Sequence, residues 1–304
     1  MVKTRYRSLW AAALIALFVV VMYQTVSISR SRALDDLQLR TAADLNRYVL
    51  SLQQELDRYK DLPKLLSSHS ELINLLLNPG SDAGYRANLY LDRVNETIGA
   101  SDTYLMDITG NTLAASNWDQ AQTFVGRNFS FRPYFKDAMA NQPGRYFALG
   151  TTSKKRGYFF SYPVEYRGRI LGVVVVKIDL NDIEEDWSDP LTDILVTDDD
   201  GVVFISTRSE WKFRTLNPLP QKDLQRIMHS LRYGDHKLMS LQVIERQRWS
   251  DTSHLITLID GERIDNKALD GVTTRQFLQQ TREVSEAGLM CRSWLASSRW
   301  SAAC

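Results

Sequence analysis

The sequence predicts an α+β protein, in which a long N-terminal helix carries two tandem antiparallel-sheet lobes. Three observations predict it. Apolar residues recur at threes and fours from about residue 31 to 77, the spacing of a helix with one buried face. Between 146 and 179, three stretches rich in aromatic and β-branched residues alternate with short polar turns, as strands do. The opening of that region, YLMDITGNTLAAS (104–116), is echoed by ILVTDDDGVVFIS (194–206): apolar strand, acidic turn with glycine, strand ending in serine, with one residue gapped after the glycine. An internal repeat of this kind predicts a second lobe opening like the first.

A length of 304 residues suits about two domains with extras. The 37 Lys and Arg against 36 Asp and Glu leave a net charge of +1, which argues against a nucleic-acid-binding protein with its dominant basic charge. Cys291 and Cys304 both lie near the C-terminus, so no disulfide framework or thiolate metal site supports the body of the chain. His69, His229, His236 and His254 are scattered, without the paired spacing of a zinc site. No cofactor is called for.

Residues 1–8 carry Lys3, Arg5 and Arg7 and are expected in the cytoplasm; 9–29 are apolar for long enough to span a membrane once, which puts the remainder outside. A cleaved signal peptide is the alternative, but no small-x-small site closes the run. Residues 30–100 form a helical spine. Leu34, Leu37, Ala42, Leu45, Val49, Leu52, Leu56 and Tyr59 mark its apolar stripe, Pro63 kinks or divides it, NPGSDAG (78–84) stops it, and a second helix runs from Tyr85 to Ile98. A spine of this length packs on its own domain or on the same helix of a second copy, and a homodimer through it is expected. Residues 101–189 form the first lobe: a hairpin over 103–116, a loop and short helix over 125–140, and strands at Tyr146–Gly150, Tyr158–Glu165 and Ile170–Asp179. Acidic residues 181–190 read as a linker or short helix. The second lobe, 190–288, has a helix at Leu219–Leu231, strands at Lys237–Arg246 and His254–Ile259, and a helix over TTRQFLQQTREV. The tail 289–304 shows no strand pattern and reads as atypical: either a natural short tail or, the favoured reading, the product of a truncation or frameshift.

The candidate site lies in residues 117–177, which hold ten Lys and Arg against three acids (Asp119, Asp137 and Glu165). Lys177 is the most informative. In GVVVVKIDL it shares a strand face with Val173 and Val175. Its ammonium lies either at the wet end of the strand or in a cavity with a counter-charge, because burying it unpaired is too costly. Arg132 and the hydroxyls of Thr151, Thr152 and Ser153 lie in neighbouring elements. An arginine, a lysine and several hydroxyls around an apolar-walled pocket suit a small anion carrying carboxylates. The Lys154–Arg156 run reads as a solvated hairpin tip.

The pieces SNW (116–118), VGRNFSFRPYF (125–135), GTTSKKRGYFFSYPV (150–164) and GVVVVKIDL (172–180) match in order and spacing those of the four-carbon-dicarboxylate sensor histidine kinases of the DctB type. The resemblance runs from the anchor to about residue 288. It implies two PAS-like lobes of the double Cache kind, in the periplasm of a bacterium and tethered to the inner membrane. The membrane-distal lobe would bind succinate, malate or fumarate, in a two-component system that controls their uptake. By the resemblance, Arg132 and Lys177 hold the two carboxylates, while Thr151, Thr152 and Ser153, beside Gly150, supply donors. Tyr158 and Ser161 are further contacts. Phe129 stands where the family often has tyrosine, so one ring hydroxyl is lost and selectivity is left open. Tyr134 and Phe135 read equally as core, and Asn117 and Trp118 as loop-stabilising. The phospho-acceptor motif and the ATP-binding boxes of such kinases do not occur, so no catalysis is expected of this chain.

Two other classes compete. A hydrolase would need a nucleophile elbow, and no G-x-S-x-G occurs; no histidine lies between 70 and 228 to serve as a base. A Cache-type receptor for an amino acid or another organic acid is the closer alternative. An amino acid needs an acidic partner for its ammonium, and the candidate pocket offers cations and hydroxyls instead.

Overall fold

The computed structural model describes residues 2–185, 187, 192–248, 253–260, 273–284 and 288–296. Helix α1, Val2–Tyr59, is roughly 87 Å long at 1.5 Å per residue. Leu45, Val49, Leu52, Leu56 and Tyr59 form its buried stripe. The helical spine continues in pieces, α2 (Leu62–Leu66), α3 (Ser70–Leu77) and α4 (Ser81–Ile98). Pro63 sits in the first turn of α2, where a missing N–H costs no helix hydrogen bond, so it starts a helix rather than kinking one. The Nδ1 of His69 accepts the Glu71 N–H and caps α3. Gly99, at φ 67°, ends α4 in a left-handed turn that glycine adopts readily.

Among the described residues no helix is long and apolar enough to cross a membrane, so the expected span over 9–29 is not found among them. Side chains before Leu17 lie outside the described residues. From Leu17 to Tyr23 every side chain is apolar or aromatic and exposed.

The first sheet, in the order β2-β1-β5-β4-β3, is antiparallel throughout. Its strands are β1 (Asp102–Asp107), β2 (Thr112–Ala115), β3 (Gly144–Leu149), β4 (Arg156–Tyr166) and β5 (Arg169–Asp179). Strand alternation divides its side chains. Leu105, Phe160, Val174 and Val176 belong to the apolar cluster with Leu52, Leu72 and Leu91 of the helices. Tyr104, Phe159, Val173 and Val175 face the other way, towards α5 (Pro133–Met139). After α6 (Leu180–Glu185) comes the second sheet, in the order β7-β6-β11-β10-β9-β8. Its strands are β6 (Thr192–Thr197), β7 (Val203–Ser206), β8 (Val243–Arg248), β9 (Ser253–Asp260), β10 (Thr273–Val284) and β11 (Leu289–Ala296), with α7 (Gln221–Ser230) between β7 and β8.

The internal repeat is present in the backbone. Gly110 and Gly201 both have positive φ, the Asp107 and Asp198 carboxylates each accept the N–H four residues on, and both hairpins carry a register shift one residue before the aspartate. These correspondences keep one constant separation, so the gap placed after the glycine in the sequence comparison is not needed.

Three expectations for the second half are corrected. TTRQFLQQTREV forms strand β10, not a helix. Its Gln and Arg favour a helix in isolation, but pairing on both edges, with β9 and β11, overrides that weak preference. Buried Gln280 donates its side-chain amide to the Gln38 carbonyl of α1 at 2.9 Å, which makes a polar residue tolerable there. Residues 289–296 of the supposedly patternless tail form β11, an interior strand between β6 and β10 in which Cys291, Ser293 and Trp294 are fully buried. The strand expected from Lys237 is restricted to β8.

Arg156 is not part of a solvated tip either. It is 5 % exposed and donates to Glu184 Oε1 and Oε2 (2.6 Å each), to the Phe204 carbonyl (2.6 Å) and to Asn181 Oδ1 (2.5 Å). Glu184 also accepts from the Ser206 N–H and from Lys212 Nζ. This buried network joins β4, α6 and the second sheet.

Candidate functional site

Strand register decides which residues surround Lys177. Phe159 lies directly across from it on β4 and Asp102 directly across on β1. Lys177 is fully buried; its Nζ meets Asp102 Oδ2 at 2.8 Å and Ser153 Oγ at 3.1 Å, and lies 5.5 Å from the centre of the Phe124 ring. Asp102 is the counter-charge that such a burial requires. A second oxygen-bearing partner, the Ser101 hydroxyl, donates to the same carboxylate oxygen. Gly157, beside Lys177, leaves room for the lysine stem: a Cβ there would stand 3.0 Å from the lysine Cε.

Lys177 lines a small cavity of about 10 Å³ with Tyr104, Phe124, Phe129, Arg132, Tyr134, Gly150, Thr151, Thr152, Ser153 and Phe159. Arg132, 1 % exposed, precedes α5; its Nη2 donates to the Leu149 carbonyl at 2.9 Å and its Nη1 to the Leu231 carbonyl at 3.2 Å. The 150–155 turn is held by two backbone bonds, Gly150 N–H to the Lys155 carbonyl and Lys154 N–H to the Gly150 carbonyl, each 2.9 Å. The Tyr104 and Tyr134 hydroxyls bond each other at 2.8 Å. Burial raises both phenols, Tyr134 to about 12, so both stay neutral around pH 7.

Seven of the nine residues singled out from sequence therefore converge: Phe129, Arg132, Gly150, Thr151, Thr152, Ser153 and Lys177. Tyr158 does not. It lies on the opposite face of β4, against Phe147 and Phe160, and burial pushes its phenol up to about 12. Ser161 is on the α5 side but bonds the Tyr134 carbonyl at 2.7 Å and lies outside the lining. Phe135 is core, and Asn117 ties its own loop by accepting the Phe124 N–H. Sequence reasoning missed Tyr104, Phe124, Phe159 and Asp102. Strict alternation from Lys177 would have chosen Phe159 over Tyr158 once the strands were paired. Asp102 carries no such local signal.

The arrangement offers two cations, several hydroxyls and two neutral phenols within an apolar wall, and Asp102 stands behind Lys177 outside that wall. It presents donors to an anion.

No family model matches the chain. The C4-dicarboxylate transport sensor protein DctB of Pseudomonas aeruginosa is 41 % identical over 201 residues, 65 % of this chain and 33 % of the relative. The protein of the same name from Rhizobium meliloti is 31 % identical over 264 residues, 86 % of this chain and 42 % of the relative. The chain thus spans a third to two fifths of the length of these curated relatives. The crystal structure of the Vibrio cholerae histidine kinase DctB sensor domain superposes with a TM-score of 0.78 at 35 % identity, covering 86 % of this chain and 98 % of that one. The ligand-binding domain of the Campylobacter jejuni chemoreceptor Tlp3 shares the fold at a TM-score of 0.52 and 15 % identity, over 84 % of this chain and 89 % of that one.

Proposed function

This chain belongs to the DctB family as a sensor region, and from that premise we propose that its first lobe binds a four-carbon dicarboxylate between Arg132 and Lys177. The observation that carries the reading is the convergence of these two buried cations with the Gly150–Ser153 donors on one cavity. A dianion there gains charge-assisted hydrogen bonds, each worth roughly 1.5–3 kcal/mol. The cavity as it stands has room for about one water. Binding therefore requires the lining to part, and the 151–153 turn is a partly exposed segment of that lining. A ligand that fits the parted lobe only would shift the balance between the two shapes by its differential affinity.

An amino acid is the competing ligand class. Its ammonium needs an acid, and Asp102 is committed to Lys177 and Ser101. That favours a purely anionic ligand.

The reading extends to the whole chain as the extracytoplasmic sensor portion of a two-component system that controls dicarboxylate uptake through a kinase. Residues 9–29 serve as an inner-membrane anchor, supported by the apolar sequence and by the exposed Leu17–Tyr23 side chains, with the lobes in the periplasm. A homodimer forms along α1, where Leu39 and Leu50 are exposed. The lobe boundaries fall near 101–189 and 190 onward.

Calorimetry on the full chain with succinate, malate, fumarate, citrate and several amino acids tests the ligand class. Saturable succinate or malate binding is expected, weakened more than a hundredfold, about 3 kcal/mol, by Arg132→Ala. Binding of an amino acid alone would turn the reading to a general Cache-type receptor.

A further inference from the structure

The guanidinium of Arg132 is oriented by two carbonyls, and one of them comes from the second lobe. Leu231, the C-cap of α7, holds a left-handed backbone at φ 50°, ψ 28°, unusual for a residue with a branched side chain. Its carbonyl accepts from Arg132 Nη1 and from the Gly234 N–H. The next residue locks this hook against β3. The Arg232 carbonyl accepts the Leu149 N–H at 2.7 Å, its Nε donates to the Tyr146 hydroxyl at 3.2 Å, and its Nη1 donates to Asp198 Oδ2 at 3.3 Å. The Arg232 guanidinium lies 4.8 and 4.9 Å from the ring centres of Tyr146 and Phe147. The buried Tyr233 hydroxyl donates to the same Asp198 oxygen.

Leu149 is therefore gripped at both ends: its N–H goes to Arg232 and its carbonyl to Arg132. An arginine has five N–H donors in one rigid plane. Two are fixed by Leu149 and Leu231, which sets the direction in which the other three point.

We propose that Arg232 is a positioning residue for the first-lobe site, holding the Leu231 and Leu149 carbonyls that aim Arg132 at the ligand. Arg232 is absent from the cavity lining. The proposal rests on the dicarboxylate reading for its ligand, not for its geometry. Reciprocity follows: whatever the hook does for ligand affinity, the ligand does for the hook. The second lobe is thus linked to occupancy through two backbone carbonyls.

The test uses the full chain, with succinate as the probe. Arg232→Lys keeps a cation beside Asp198, so the fold is preserved, but it loses the planar bridge to Tyr146; Tyr146→Phe removes that bridge from the other side. Both variants are expected to unfold near the midpoint of the unmodified chain. Arg232→Lys is expected to bind succinate about tenfold more weakly and Tyr146→Phe about threefold more weakly. A second arm needs no ligand. Arg132→Ala should speed amide hydrogen exchange at 231–234, because the Leu231 carbonyl loses its partner across the lobes. Unchanged succinate affinity in Arg232→Lys, or unchanged exchange at 231–234 in Arg132→Ala, overturns the proposal. If the unmodified chain does not bind succinate, the dicarboxylate reading fails, and the exchange arm alone decides the coupling.

Discussion

Lys177 and Asp102 are a buried pair whose two halves act differently. Lys177 faces the cavity and Asp102 stands behind it, so the ammonium already has a counter-charge beside it. Lys177→Met leaves a nearly buried carboxylate without its cation, and a loss of roughly 3–5 kcal/mol is expected in urea unfolding. The double variant Lys177→Met, Asp102→Asn should recover a large part of that loss while still failing to bind. If the two substitutions simply add, the pair is not coupled. Gly157→Ala acts on the same lysine through its stem. The new Cβ at 3.0 Å from Cε and 3.2 Å from the Ile178 carbonyl forces the side chain to shift, so ligand affinity should fall more than stability.

At the scale of elements, β11 is the most consequential. Cys291 within it is fully buried, and burial pushes its thiol up to about 12. At pH 8 its thiolate fraction is on the order of one in ten thousand. Peptide mapping after alkylation should find Cys291 unmodified in the native chain and modified in denaturant; rapid native labelling would mean that β11 is not inserted. Any fragment made for binding studies must reach Ala296, because ending at 288 removes an interior strand. The β1–β2 hairpin gives a pH prediction. Burial pushes the Asp107 carboxyl up, but hydrogen bonds from Thr109 and Asn111 outweigh it and hold the group below its ordinary value. Its folded pKa is depressed, so its contribution is present above the unfolded pKa of about 3.9 and is lost as pH falls through the folded one. The stability difference between the native chain and Asp107→Ala should therefore shrink in acid, below about pH 4, which denaturation at pH 3 and pH 6 would show.

At the scale of the whole molecule, two polar junctions tie the sheets together: the Arg156–Glu184–Lys212 network, and the hook around Arg132 and Arg232. Arg156→Ala leaves Glu184 with Lys212 and empties the bond to the Phe204 carbonyl. A loss of roughly 3 kcal/mol is expected, and one cooperative thermal transition should separate into two. A single sharp transition in that variant would show that the junction does not couple the lobes.

Phe129 and Gly150 came with the family resemblance, but the sequence by itself determined the architecture of the first lobe, the hairpin repeat and five of the residues that meet at the cavity, Arg132, Thr151, Thr152, Ser153 and Lys177. Those features are written locally: helical stripes, alternating strands, and a basic window with few acids. It failed where polar residues are buried in company. Gln279 and Gln280 made β10 look helical, Arg292 and Ser293 hid β11, and Arg156 looked like a surface charge, whereas Gln280, Arg292 and Arg156 find their partners far along the chain. Only the tertiary structure decided that Asp102 neutralises Lys177, that Phe159 rather than Tyr158 faces it, and that the second lobe holds Arg132. Cross-strand register and long-range hydrogen bonds join residues tens of positions apart, and no local pattern of residues records which partner each will find.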